Sequence, residues 1–321
     1  MTKKIFAIAK AIQPNISFFF SRLYKCVKDA MPKAIKTAIW ILKITLPVSL
    51  AVSILNYYGL IQLVTQHLTP AFNLIGLRGE AALPFVTGIL LNIYSVIAVL
   101  SQLSLDLREI TIIAVMSLIA HNLIIETTIQ SKTGSKAWHM VALRVGAAFG
   151  AAAILNLLLP DMSQKVSLLS NTHTASSISE LLYGWVFSSF RLILKIIILV
   201  SLLMILQKIL QEFKLIELLT KPLSPMLKFM GLPESTTFLW IVANSLGLAY
   251  GSAVMMEEVK EGRITKKDAD LLNYHVAISH SNLEDLLLFA AIGVSILWMM
   301  IPRLIIAIAV VWGRRFFVNR E

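Results

Sequence analysis

Two short stretches place ionisable and amide side chains inside otherwise apolar runs. HNLIIE carries His121, Asn122 and Glu126, and HSNLED carries His280, Ser281, Asn282, Glu284 and Asp285. Asn122 and Glu126 are four residues apart, as are Ser281 and Asp285, and His280 and Glu284. On a helix each pair shares a face. Such groups supply charge and hydrogen bonds to a polar solute or an ion. His121, Glu126, His280, Glu284 and Asp285 together also offer hard and borderline donors for a divalent ion, which makes metal transport a rival reading. The expectation for the site carries no resident metal and no cofactor. A carboxylate in hydrocarbon costs ~2.5 kcal/mol or more, so acids at such positions are retained for a reason.

A second set of polar residues lies near breaks. Asn92, Tyr94 and Ser95 follow Pro84 and Gly88 in one apolar run, and Asn244, Ser245 and Tyr250 alternate with Gly247 and Gly251 in another. Interrupted runs of this kind predict broken helices, whose free backbone groups line a site only where protein or water covers them. The expected substrate-binding set is therefore Asn92, Tyr94, Ser95, His121, Asn122, Glu126, Asn244, Tyr250, His280, Asn282, Glu284 and Asp285. The competing reading for each amide or hydroxyl is helix packing through an interhelical hydrogen bond of ~0.6–2 kcal/mol.

The elements that must hold these residues are membrane helices. Of 321 residues, 57% are hydrophobic and 15% charged, against about 25% charged in a soluble protein. This excludes disorder and a single soluble domain. One cysteine, Cys26, excludes a disulfide framework and any multi-cysteine metal centre within the chain. Eight runs approach the ~20 residues that cross a bilayer, at about 38–58, 81–103, 110–130, 137–159, 183–206, 236–256, 269–293 and 294–313.

The chain repeats itself. LTPAFNLIGLRGE (68–80) aligns with LSPMLKFMGLPES (223–235) at an offset of 155 residues, pairing Pro70 with Pro225, Gly76 with Gly231 and Leu77 with Leu232. Downstream the offset is 159, pairing His121 with His280, Asn122 with Ser281 and Glu126 with Asp285. A longer loop at 260–268 is the expected cause. The organisation reads as a basic amphipathic segment (1–36), a first repeat (37–160), a polar linker (161–182), a second repeat (183–313) and a basic tail (314–321). The expected fold class is all-α, polytopic and transmembrane. Four spans per half make the repeats parallel, with 60–77 and 207–232 as interfacial or re-entrant helices. With the N-terminus inside, seventeen Lys/Arg fall in inner loops and seven in outer ones. That favours a multi-pass protein of the inner (cytoplasmic) membrane with both termini cytoplasmic. Four of the outer seven lie in 207–232, the weak point of the assignment.

GLRGEAALPFVTGILLN (76–92) resembles the signature of the nucleoside-recognition or Gate domain. That domain occurs in FeoB-type ferrous iron transporters, in spore maturation proteins A and B, and in relatives of concentrative nucleoside transporters. The FeoB pattern continues Gly-x-Gly-Cys-Asn-x-Pro. Here Gly88 and Asn92 are kept, while Leu90, Leu91 and Tyr94 replace the second Gly, the Cys and the Pro. The lost thiolate argues against the iron chemistry of that family. GLPESTTFLWIVANSLGLAYGSA (231–253) looks like a divergent second copy. The resemblance implies a non-enzymatic, transport-like membrane protein laid out as two fused Gate domains. No GxxxxGK[ST] is present, so no ATP- or GTP-binding loop is visible.

The expected partners are the lipid bilayer, a small solute (nucleoside-like or an ion) bound between the repeats, and a membrane partner or second copy. Nucleic acid is not expected, because no soluble domain presents a basic face. Two further readings stand beside transport. One is a membrane scaffold or partner subunit. The other is an acyltransferase, because HSNLED fits an HxxxxD pattern in which the Asp orients a general-base His.

Overall fold

The computed structural model describes residues 2–162 and 177–318. The first half begins with α1 (Thr2–Tyr57), one continuous helix through both the basic segment and the first expected span. Two short helices follow, α2 (Leu60–Thr65) and α3 (Thr69–Leu74). Then come α4 (Ala82–Leu90), α5 (Ile93–Leu100), α6 (Leu107–Ala120), α7 (Leu123–Lys132) and α8 (Ala137–Leu158). The second half repeats the order with α9 (Ile178–Glu212), α10 (Leu215–Phe229), α11 (Thr237–Ser245), α12 (Leu248–Lys260), α13 (Lys266–Val276), α14 (Asn282–Ala290) and α15 (Ile296–Val318). No strand occurs among the described residues. Most of the expected linker, 163–176, and the tail residues 319–321 lie outside them.

The internal duplication is written into the backbone. Left-handed φ values recur at equivalent places: Gly59 (68°) and Lys214 (51°), Gly76 (73°) and Gly231 (81°), Asn122 (49°) and Ser281 (49°), Gly134 (116°) and Gly293 (97°). Caps recur too. Asp106 accepts from Glu109 N at the start of α6, and Thr265 accepts from Asp268 N at the start of α13. Each satisfies a backbone donor that the first helical turn leaves free. The change of offset from 155 to 159 is absorbed mainly inside a helix. α12 has 13 residues where α5 has 8, so about one extra turn, rather than a longer loop, carries the insertion.

Three expectations are corrected. First, among the described residues five helical stretches, where eight spans are expected, are long and apolar enough to cross a membrane: Phe18–Tyr57, Leu107–Lys132 (α6 and α7 together), Ala137–Leu158, Ile178–Glu212 and Ile296–Phe317. Second, the runs at 81–103 and 236–256 are helical hairpins. A Cβ built at Gly88 on α4 would lie 2.8 Å from Val96 Cγ2 on α5, and one at Gly251 on α12 would lie 3.0 Å from Ala243 Cα on α11. Residues eight apart on straight helices are ~12 Å apart along the axis, so both chains double back. Asn92, which caps α5 by accepting from Ser95 N at 3.0 Å, and Gly247, at φ 88°, make the two turns. The small residues at the closures let the backbones approach.

Third, the halves do not run parallel. Along α7 the chain passes from His121 through Gln130 to Ser135. The facing chain passes from His280 back through Asn273 to Asp270. Asn273 Nδ2 donates to Gln130 O (3.2 Å), Thr133 Oγ1 (2.8 Å) and Ser135 Oγ (3.1 Å), and Ser135 Oγ donates to Asp270 Oδ1 at 2.6 Å. The His121 and His280 rings meet 5.2 Å apart. Taken as one broken helix each, α6–α7 and its equivalent α13–α14 thus cross head to tail, related by an axis across the helices, which is the arrangement of inverted repeats. The physical cause is parity: a hairpin returns to the face it left and drops out of the count, which leaves α1, α6–α7 and α8 in one half and their equivalents α9, α13–α14 and α15 in the other.

The pair α6–α7 is the centre of the assembly. Its apolar window is 83% buried, against 22–33% for the other four spans. Those four leave Trp40, Leu157, Phe190, Leu202, Leu297 and Ile305 exposed. The protein is an integral membrane protein whose outer helices contact lipid.

Candidate functional site

Four chain breaks converge. The turn between α6 and α7 is held by the first hairpin, Asn122 N donating to Gly88 O at 2.8 Å. The turn between α13 and α14 is held by the second, Ser281 N donating to Ala243 O at 3.1 Å. Asn122 and Ser281 both take the left-handed conformation, which costs an ordinary side chain of order 1 kcal/mol and which Asn tolerates best. Each break leaves the carbonyl end of one short helix and the amide end of the next facing inward.

The charges follow these dipoles. Arg144, fully buried on α8, donates through Nε to Ile119 O (2.7 Å) and through Nη2 to His121 O (2.7 Å), the free carbonyls at the end of α6. Arg303 on α15 does the same for α13, to Ile278 O (3.0 Å) and His280 O (3.0 Å), and its Nη1 donates to Asn282 Oδ1 (3.0 Å). Cations thus sit at helix C-termini. Glu126 and Asp285 occupy the first turns of α7 and α14, where a helix end favours anions. Glu126, which the sequence places near the end of a span, is buried here and pairs with Arg144 Nη2 at 2.7 Å.

At the centre the two histidines and two acids close up. His121 Nε2 lies 3.2 Å from Glu126 Oε1 and 3.6 Å from Asp285 Oδ2, and His280 Nε2 lies 3.3 Å from Glu126 Oε2. The acid that meets His280 is thus the one from the other half. An HxxxxD unit with Asp285 serving His280 finds no support in this geometry.

Most of the expected residues meet here. Asn282 Nδ2 donates to Asn244 Oδ1 (2.6 Å) and Ser279 Oγ (3.2 Å), which ties the second hairpin to the second break. Tyr94 Oη donates to Glu284 Oε1 at 2.9 Å, joining the first hairpin to the second half's broken helix. Asn92 and Ser95 bond each other at the first hairpin's turn rather than the cluster, and Tyr250 stands apart, 50% exposed on α12. Sequence reasoning missed Arg144 and Arg303. The signal was available, since they are separated by the same 159 residues as His121 and His280, and each is an arginine inside an apolar run.

The family model described as Gate, nucleoside recognition, matches residues 38–134, which hold the first hairpin and the first broken helix. Over 269 residues the chain is 30% identical to a protein of Bacillus subtilis (strain 168) described as the uncharacterized membrane protein YvoD, covering 83% of this chain and 86% of that one. No solved structure matches. The chain belongs to the family of YvoD and is a membrane protein carrying a Gate (nucleoside recognition) domain.

Proposed function

We propose that this protein is a transporter that binds a small polar solute or ion where its two broken helices cross, and passes it from one membrane face to the other. The observation that carries the reading is the convergence of two hairpin tips and two helix breaks on one buried cluster: His121, Asn122, Glu126, Asn244, His280, Asn282, Glu284 and Asp285. Irregular backbone and ionisable groups at membrane depth mark substrate pathways. Two inverted halves around one site also supply the symmetry that alternating access needs, since exchanging their conformations turns an outward-facing state into an inward-facing one. The Gate match supports a solute of nucleoside or nucleobase size. In this reading the chain is a carrier and not an enzyme, and it sits in the cytoplasmic membrane.

The test is uptake into proteoliposomes of a panel of nucleosides, nucleobases and ions, with a thermal-shift screen in parallel. At least one solute is expected to raise the thermal midpoint and to accumulate, and Glu126→Gln is expected to abolish that uptake. A panel that neither stabilises the protein nor crosses would leave transport without support.

The inverted arrangement also makes a prediction about sidedness. With three crossings per half and the N-terminus inside, the inner segments become 1–36, 132–136, 208–228, 260–267 and 314–321. They hold twenty-one Lys/Arg, while the outer segments hold three: Arg78, Arg108 and Lys165. The four lysines of 207–232 move to the inner side, so the orientation rule is obeyed throughout. In a Cys26→Ala background, single cysteines at Ser131 and Glu261 are expected to resist an impermeant thiol reagent in intact cells. A cysteine at Ser104 should react. Parallel repeats predict a reactive Ser131 position and a protected Ser104 position.

A further inference from the structure

The two histidines at the crossing are oriented as ligands. His121 Nδ1 lies 3.0 Å from Ser117 O and His280 Nδ1 lies 2.6 Å from Val276 O, each a carbonyl four residues back. A carbonyl can only accept, so Nδ1 carries a proton in both rings. In the neutral rings the Nε2 atoms then present lone pairs inward. They face carboxylate oxygens, which are also acceptors, at 3.2, 3.3 and 3.6 Å. Acceptors converging on acceptors repel unless something positive lies between them. Glu126 Oε2 meets Arg144 Nη2 at 2.7 Å, Asp285 Oδ2 is buried without a hydrogen bond, and the four side chains are at most 9% exposed.

The spacing that would suit a shared proton also suits a metal ion. Zinc binds imidazole nitrogen and carboxylate oxygen at about 2.0–2.2 Å, and two ligands on a tetrahedron of that radius lie roughly 3.3–3.6 Å apart. The three separations fall within or close to that range. His121, Glu126 and His280 each offer a ligand atom, all within 4.8 Å of one another, and Asp285 supplies a fourth. Backbone carbonyls fixing the far nitrogen of each ring are the usual outer support of a metal-bound histidine. Carboxylates also favour a cation here. Glu126 and Asp285 put two negative charges beside the ion, and Arg144, which also bonds helix-end carbonyls, shares Glu126 with it. The donor set contains imidazole and carboxylate and no thiolate, since the lone cysteine is on α1. That selects borderline ions such as Zn²⁺, Fe²⁺, Co²⁺ or Mn²⁺ over Cu⁺, and over Mg²⁺ or Ca²⁺, which prefer oxygen alone.

We infer that the crossing of the two broken helices is a divalent transition-metal site built from His121, His280, Glu126 and Asp285, two ligands from each half of the chain. This deepens the proposed function: it rests on the crossing being a binding site, but it does not require that the ion be transported.

The test uses the full chain in detergent, stripped with EDTA and titrated with Zn²⁺ alone by calorimetry. Binding of one ion per chain is expected, with affinity reduced at least 10–100-fold in His280→Ala and in Glu126→Gln. X-ray absorption at the zinc edge of the wild-type protein is expected to show two imidazoles, and needs no variant to fold. Absence of stoichiometric binding, or a zinc shell without imidazole, overturns the inference and makes the histidines proton carriers instead. Zn²⁺ held by two imidazoles in a protein that moves no solute upholds the site and removes the transport reading. Nucleoside uptake untouched by EDTA, in a protein that binds no Zn²⁺, does the reverse.

Discussion

Replacing Arg144 with Met is expected to cost about 3–5 kcal/mol of stability, the usual penalty for removing one partner of a buried ion pair. In a chain of this size that is on the order of 10 °C in the thermal midpoint measured in detergent. The side chain is fully buried and has three separate tasks. It satisfies Ile119 O and His121 O at the end of α6, and it pairs with Glu126 at 2.7 Å. Methionine fills the volume but leaves two carbonyls unbonded and a carboxylate uncompensated. The largest part of the loss is the stranded charge, so adding Glu126→Gln to Arg144→Met should recover about half of it. Arg303→Met should behave alike, because Arg303 bonds Ile278 O and His280 O in the same way. A midpoint for Arg144→Met within a degree or two of wild type would show that the break between α6 and α7 is held by packing alone.

The same arginines show what a sequence reveals and what it hides. The duplication, its changing offset and the pairing of His121 with His280 were legible, because each depends on residue identity at fixed spacing. The broken helices at 91–92 and 246–247 were legible from Asn92, Gly88, Gly247 and Gly251. The parity of the crossings was not. A hairpin of two helices of about nine residues has the same length and hydropathy as one span of about twenty, and only the contact of Gly88 with Val96 separates them. Counting each hairpin as one span gives parallel repeats, and it leaves the four lysines of 207–232 on the outer face. Arg144 was hidden differently. It sits in a 22-residue apolar helix that an average over hydropathy passes without remark. The contacts between Asn273 and the end of α7 span about 140 residues of sequence, and no local pattern encodes them.

The two hairpins close on complementary versions of one contact, and that supports a sharp test of their equivalence. In the first, glycine lies on the entering helix and a larger residue on the returning one: Gly88 against Val96. In the second the small residue is on the return: Ala243 against Gly251. Gly251→Val puts a branched side chain where even a Cβ would lie 3.0 Å from backbone. Overpacking of this kind costs about 1–3 kcal/mol. It should also pull Ala243 O away from Ser281 N, the bond that holds the second helix break. The double variant Ala243→Gly with Gly251→Val reproduces the first hairpin's pair inside the second. If the hairpins are equivalent, the second change rescues the first, and the double-mutant cycle returns a favourable coupling of about 1–2 kcal/mol. Ala243→Gly alone removes a contact within a helix and should lower stability by about 1 kcal/mol. Additive losses, with the double variant worse than either single one, would mean that the two hairpins close by different geometries. The inverted symmetry would then be a property of sequence spacing alone. Rescue would place the tips of both hairpins, and with them Asn122 and Ser281, under the same constraint on opposite sides of the crossing.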